Sequence, residues 1–161
     1  MKTAFLFASK SKCVSHHVGA VIVKDDRIII TGYNGTPQGL VNCNEKFSLL
    51  STTGQPRFDR EEHHIWSKDN EIHAEMNAIA FAAKHNVEVD GCDIYVTISP
   101  CNECLKNLVP TGIKNIYYLY LYDKSTLNPN LLKRIKVQEV PGAEAIKQWV
   151  DDNNLLYVAQ H

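Results

Sequence analysis

Two β-rich runs stand back to back near the start of the chain, and every later strand-like run is separated from the next by a helical stretch. That order limits the possible folds more than any other feature. Val18-Gly19-Ala20-Val21-Ile22-Val23 and Arg27-Ile28-Ile29-Ile30-Thr31 flank Lys24-Asp25-Asp26, which predicts a two-stranded hairpin. Beyond it, Ile72 to Lys84 reads as a helix, 92–98 as a strand, Pro100 to Val109 as a helix and 113–122 as a strand. Residues 129–135 and 143–150 read as helices around a short strand over 136–140. An antiparallel pair followed by βαβ alternation predicts an α/β chain with a mixed sheet of about five strands and helices on its faces. Phe5, Leu6 and Ala8 among Lys and Ser predict an amphipathic helix over 2–12. Gly32 to Gly39 carries Gly, Asn and Pro and reads as a loop. From 42 to 72 the chain is polar and aperiodic, with a break at Gly54 and Pro56. A loop insertion of that length is normally functional or carries its own brace.

The 161 residues point to a single domain over 1–161. Seventeen Lys+Arg against eighteen Asp+Glu leave a net charge of −1, so the basic excess that marks a binder of polymeric nucleic acid is missing. No window approaches the roughly 18 apolar residues of a membrane helix. The run Thr3 to Ala8 is too short for the apolar region of a signal peptide, and Lys10 and Lys12 break any extension of it. Five cysteines, an odd number with Cys101 and Cys104 in a CxxC, read as metal or redox chemistry in a reducing compartment rather than as a disulfide scaffold. The expected location is the cytoplasm.

Chemistry concentrates in His73-Ala74-Glu75 and, after a gap of 24 residues, Pro100-Cys101-Asn102-Glu103-Cys104. One His and two Cys make three zinc ligands, and a catalytic zinc takes three protein ligands plus an open position. Each group falls at a predicted helix start. Pro100 suits a first helical position, and helix N-termini favour thiolates. Alone, the CxxC reads equally as a redox pair or half of a zinc ribbon. A ribbon needs a second such pair, however, and no other CxxC exists in the sequence. H-x-E followed by P-C-x-x-C is the signature of zinc-dependent nucleobase deaminases. Two thiolates and a neutral imidazole cancel the Zn²⁺ charge, so such a metal acidifies water less than an all-histidine site would, and a nearby base is needed. Glu75, two residues from His73, is the candidate: it takes a proton from the attacking water, delivers it to the ring under attack, and passes a further proton to the departing amino group.

Together with Val18-Gly19-Ala20-Val21-Ile22, Gly32-Tyr33-Asn34-Gly35-Thr36-Pro37 and Ile72 to Ile79, these residues resemble the cytidine/deoxycytidylate deaminase superfamily. Within it they look most like the deoxycytidylate (dCMP) deaminases of the bacteriophage type, over roughly residues 4–123. The GYNGTP segment discriminates, since HAE and PCxxC are shared across the superfamily. The resemblance implies a three-layer α/β/α sandwich, hydrolysis of dCMP to dUMP and ammonia in supply of thymidylate synthesis, activation by dCTP, inhibition by dTTP, and a hexamer. Deamination of tRNA adenosine or free cytosine, and a non-catalytic zinc-braced nucleotide-binding module, are the alternatives.

The resemblance also places Asn34 on the nucleotide, the Ala74 amide and Ser99 near the base, and Tyr122 near the 5′-phosphate. Asn34-Gly35 has a local explanation as a turn, and Tyr122 ends an alternating run in which packing alone accounts for tyrosines. Family members often carry Arg shortly before the VGAV strand, where this chain has His16-His17. Cys13 and Cys43 match a second, structural zinc of phage-type relatives. His63 is a third candidate ligand, with Asp59 and His64 beside it; free buried cysteines are the alternative. For effectors, Gly35 and Asn42 lie in a glycine-bearing loop whose amides can approach a phosphate. Asn77 and Lys84 share a face of the predicted helix, and Lys84 reads equally as a solvated lysine.

Overall fold

The structure, a computed structural model, describes residues 1–47, 58–122 and 126–156; the Gly54–Pro56 break lies outside them. The elements run α1 (Lys2–Ala8), β1 (Gly19–Lys24), β2 (Arg27–Tyr33), α2 (Cys43–Lys46), α3 (Arg60–Asn70), α4 (Ala74–Lys84), β3 (Asp93–Ile98), α5 (Asn102–Leu108), β4 (Asn115–Tyr120), α6 (Pro129–Leu132), β5 (Lys136–Glu139) and α7 (Ala143–Asp152), with a 3₁₀ turn at Val109–Thr111. The five strands form one sheet in the order β2-β1-β3-β4-β5. β1 is antiparallel to β2 and β3, whereas β3, β4 and β5 are parallel. The mixed sheet expected from the strand order is the one observed. Asp25 and Asp26 close the hairpin with φ of 49° and 60°, the positive pair that a type I′ turn requires.

Strand alternation divides the core in two. Ile94, Val96 and Ile116 face Ala74, Ala78, Ala82, Leu105 and Leu108 of α4 and α5. Leu119, Tyr95 and Tyr117 face Phe5 of α1 and Ala143, Val150 and Trp149 of α7. Helices therefore cover both faces, and the three-layer sandwich stands. Between Asn70 and β3, α4 alone crosses the first face, so its head lies at the same end of the sheet as the exit of β3.

Several boundaries differ from the sequence reading. The first helix stops at Ala8 rather than Lys12, because Ser9 turns its hydroxyl back onto the Leu6 carbonyl at 2.8 Å. Gly32 and Tyr33 belong to β2, not to a loop, and pair with Ala20 and Gly19. The 42–72 insertion contains α2 and α3. Asp59 caps α3 by accepting from Glu62 N at 2.8 Å. This helix escaped periodicity because its buried member is His63 while Ile65 is 60% exposed. Cys13, Val14, Cys43 and Phe47 form a small separate core with Phe58 and Trp66.

Gly32 sets how closely α4 can approach the sheet. A Cβ there would overlap the Ala74 carbonyl and stand 2.7 Å from Ala78 N, both backbone groups that no rotamer change can relieve. Gly32→Ala is therefore expected to cost about 3 kcal/mol, the upper end for overpacking a core. A urea melt reads this directly, and a midpoint within error of wild type would show that α4 yields freely.

Candidate active site

His73 is the N-cap of α4 but makes no capping bond with its side chain. Its Nδ1 instead faces Cys104 Sγ at 3.3 Å and Cys101 Sγ at 3.6 Å. Cys101 is the N-cap of α5, and its sulfur accepts from Cys104 N at 3.5 Å. Pro100 precedes this cap rather than occupying the first helical position. A tetrahedral zinc with ordinary Zn–N and Zn–S bonds places its N and S ligands about 3.5 Å apart, so the donor set fits that ion in element and spacing. Cys101 is drawn down to about 3, first by its bond with Cys104 and then by His73, against the cost of burial. The same bond and burial push Cys104 up. The bond to Cys101 pushes His73 up to about 9. One thiolate, one thiol and an imidazolium thus share protons that a metal would displace.

Glu75 is the second residue of α4 with 3% of its surface exposed, whereas His73 opens outward. Burial pushes its carboxyl above the usual carboxylate range, opposed by its own backbone N–H and by His73. His73, Cys101 and Cys104 all act on its carboxyl electrostatically. The side chain thus points inward at the three ligands from the same helix head.

Of the remaining candidates, Ala74 and Asn77 lie on this helix and Lys84 at its far end. Ala74 is the first residue of α4, so its N–H has no intrahelical acceptor. Asn34 is buried; its Oδ1 accepts from Val18 N at 2.8 Å and its Nδ2 donates to the His16 carbonyl at 2.9 Å. Ser99 is buried and its hydroxyl accepts from Tyr122 N at 2.9 Å. The Tyr122 ring stands edge-on to His16 at 6.4 Å. Gly35 pairs with Ile72 through N–H···O bonds of 3.1 and 2.8 Å, and Asn77 Nδ2 donates to the Tyr33 carbonyl at 2.7 Å. Both contacts tie the GYNGTP segment to α4. Asn42 caps α2 in a capping box with Glu45. Lys84 is exposed on the last turn of α4, roughly 16 Å of helix from His73.

A second cluster joins Cys13, Cys43, His63 and Glu71, whose donor atoms all lie within 4.8 Å of one another. Cys13 Sγ is 3.5 Å from His63 Nε2 and 3.4 Å from Glu71 Oε2. Neither Asp59 nor His64, the neighbours considered from sequence, completes the set: Asp59 is spent on the α3 cap and His64 is exposed. Glu71 was missed because it succeeds α3 as its C-cap and carries no spacing signal of its own. The Glu71 side chain is 6% exposed, and its Oε1 is buried with no hydrogen-bond partner among the described residues. An orphaned oxygen beside two sulfurs and an imidazole is the environment of a metal ligand. Burial pushes Glu71 up, and the Cys13–Cys43 bond lowers one thiol while raising the other. Four protein donors leave no open position, as in a structural zinc site.

Such a fold with an inward carboxylate over a His/Cys/Cys set belongs to the zinc-dependent deaminases. The sequence model described as the cytidine and deoxycytidylate deaminase zinc-binding region matches residues 1–120, and the chain belongs to that family. It is 41% identical over 150 residues to the deoxycytidylate deaminase of Enterobacteria phage T2, covering 78% of this chain and 80% of that protein. It is 35% identical over 161 residues to ComE operon protein 2 of Bacillus subtilis, covering 99% of this chain and 78% of that protein. The structure superposes on the dCMP deaminase of cyanophage S-TIM5, solved in complex with dCMP and dUMP. The TM-score is 0.67, with 32% identity and coverage of 86% of this chain and 92% of the other. Among the described residues no helix is long and apolar enough to cross a membrane.

Asn34→Ala strands two groups at once, Val18 N and the His16 carbonyl. The expected cost is about 2 kcal/mol, since a buried unpaired group costs about 1–3 kcal/mol. Asn34→Asp, which still accepts from Val18 N, is expected to recover part of that loss in the same denaturant titration.

Proposed function

We propose that this protein is a deoxycytidylate deaminase that converts dCMP and water to dUMP and ammonia. The observation that carries the reading is Glu75, a buried carboxyl on the same helix head as His73, whose Nδ1 faces Cys101 and Cys104. A purely structural metal site has no use for a carboxylate there. Zinc held by His73, Cys101 and Cys104 would supply the Lewis acidity that makes water a nucleophile near neutral pH. Glu75 takes the proton that the attacking water gives up and hands it to N3 of the ring. It then carries a second proton to the amino group as the C4–N bond breaks. A carboxyl whose burial favours the protonated form is suited to hold that proton between steps. Such shuttling is worth roughly 10²–10⁴-fold in rate.

The substrate assignment is supported by the phage T2 relative, a deoxycytidylate deaminase, and by the cyanophage enzyme's complex with dCMP and dUMP. In this reading Asn34 orients the nucleotide through the backbone it grips. The Ala74 N–H and Ser99 lie against the base, and Tyr122 lies beside the 5′-phosphate. The product dUMP would feed thymidylate synthesis. We extend the proposal to activation by dCTP and inhibition by dTTP at a site including Gly35, Asn42, Asn77 and Lys84, and to a hexamer. Cys13, Cys43, His63 and Glu71 would hold a second, structural zinc that ties the 42–72 insertion to the segment before β1.

Ammonia release should be measured against a panel of cytosine and adenine nucleotides, nucleosides and tRNA. The expected result is activity on dCMP far above the rest. Glu75→Ala should lose at least about a hundredfold in turnover with zinc retained at the active site. A variant keeping a tenth of wild-type turnover would remove Glu75 from the mechanism. Elemental analysis should find two zinc ions per chain and one in Cys13→Ser. That variant should also melt earlier, because structural zinc contributes folding free energy directly. A single zinc in wild type would remove the second site and leave the first untouched.

A further inference from the structure

Only Glu71, Ile72 and His73 separate α3 from α4, and the outer two carry donors of different clusters. Glu71, the C-cap of α3, has its Oε2 3.4 Å from Cys13 Sγ; His73, the N-cap of α4, has its Nδ1 3.3 Å from Cys104 Sγ. The backbone is extended at both, with φ and ψ of −103° and 138° at Glu71 and −67° and 154° at His73. Between them Ile72 exchanges both backbone bonds with Gly35, donating at 2.8 Å and accepting at 3.1 Å. Alternate residues of an extended run leave it on the same side, with Cα atoms roughly 7 Å apart. The two clusters are thus neighbours along one short strand-like link.

That link has no slack. The Glu71 N–H donates to the Ser67 carbonyl at 2.9 Å, and the His73 carbonyl accepts from Asn77 N at 2.9 Å. A shift of Glu71 cannot be absorbed at Ile72 without loss of the bridge to Gly35, so it passes on to His73. The downstream end is fixed by the close approach of α4 to Gly32. The upstream end depends on the small core of Cys13, Val14, Cys43 and Phe47, on which Trp66 of α3 packs. Into that core Glu71 brings an Oε1 without a hydrogen-bond partner among the described residues. A buried polar atom in that state favours conformations that return it to water, and a cation on Glu71 removes the pull.

We infer that the two donor clusters bind zinc cooperatively: filling Cys13, Cys43, His63 and Glu71 fixes the link and so presents His73 to Cys101 and Cys104. The inference rests on the reading of both clusters as zinc sites. An ion that orders the shared link leaves less to be ordered by the other, which couples the sites without contact between the ions. The coupling is reciprocal, the same factor acting in both directions.

The test measures bound zinc per chain at graded free zinc, set by a chelator buffer, in wild type, Cys13→Ser and Cys101→Ser. Each variant should hold one zinc at saturation. For independent sites the wild-type curve is the sum of the two variant curves; a coupling of about tenfold draws it to lower free zinc than that sum. Coincidence with the sum, at two zinc ions per wild-type chain, overturns the inference and leaves both sites standing. A single zinc in saturated wild type removes the second site and the inference with it. Amide hydrogen exchange supplies a readout that needs no Cys13 variant. In Cys101→Ser, zinc added to the remaining site should slow exchange about tenfold at Ile72 and Asn77, whose N–H groups are bonded to Gly35 and His73. Unchanged exchange at both overturns the inference as well. Zinc content and exchange are independent of which nucleotide is deaminated, so the substrate assignment can fail without affecting either result.

Discussion

The head of α4 is set by backbone approach to β2, and the rest of the site is referred to that head. Where Gly32 faces Ala74 and Ala78 there is no space for a side chain, so the first turn of the helix lies directly on the strand. Two further backbone ties hold the same place: the Gly35–Ile72 bridge and the Asn77 bond to the Tyr33 carbonyl. His73 and Glu75 thus leave a turn that has almost no freedom to rotate. Catalysis by positioned groups depends on such rigidity, since effective concentration collapses with small misplacement.

The two donor clusters share a stretch of chain. Glu71 belongs to the Cys13/Cys43/His63 set and His73 to the Cys101/Cys104 set, with only Ile72 between them. Ile72 is itself paired to Gly35. In the proposed reading, a structural zinc therefore anchors the chain two residues upstream of the catalytic ligand. The polar insertion that carries α3 has a small aromatic core of its own, in which Phe47 lies against Trp66 and His63 at 5.4 and 5.3 Å. So small a core is a weak brace alone, and metal-type side chains do what an apolar stripe does elsewhere.

Both clusters contain two cysteines whose hydrogen bond lowers one thiol and raises the other. In the catalytic set His73 is also raised. In the proposed reading metal binding displaces these protons, which would couple occupancy of each site to pH and occupancy of the second to folding. Glu75 differs in kind: desolvation raises it rather than a sulfur partner, which suits a group that exchanges protons.

The order of strands and helices was legible because a period of two or 3.6 and the turn residues are local properties. That is why the hairpin, the βαβ alternation and the five strands could be read without coordinates. The His73/Glu75 and Cys101/Cys104 pairs were legible for a similar reason: ligand spacing within a turn is fixed by covalent geometry and helix rise. Glu71, by contrast, joins Cys13 across 58 residues, and Asn102 reaches Thr126 and Asn128 across 24 and 26. No local period encodes such contacts. The helix α3 was hidden because its buried face is made of His63 and Trp66 rather than aliphatic residues, and it can be recognised as a face only once the two cysteines it packs on are in place. Local patterning specified the elements and the chemistry each could offer. Which distant groups meet was settled by packing, because that depends on how closely α4 and the 42–72 insertion lie against the sheet and the segment before it.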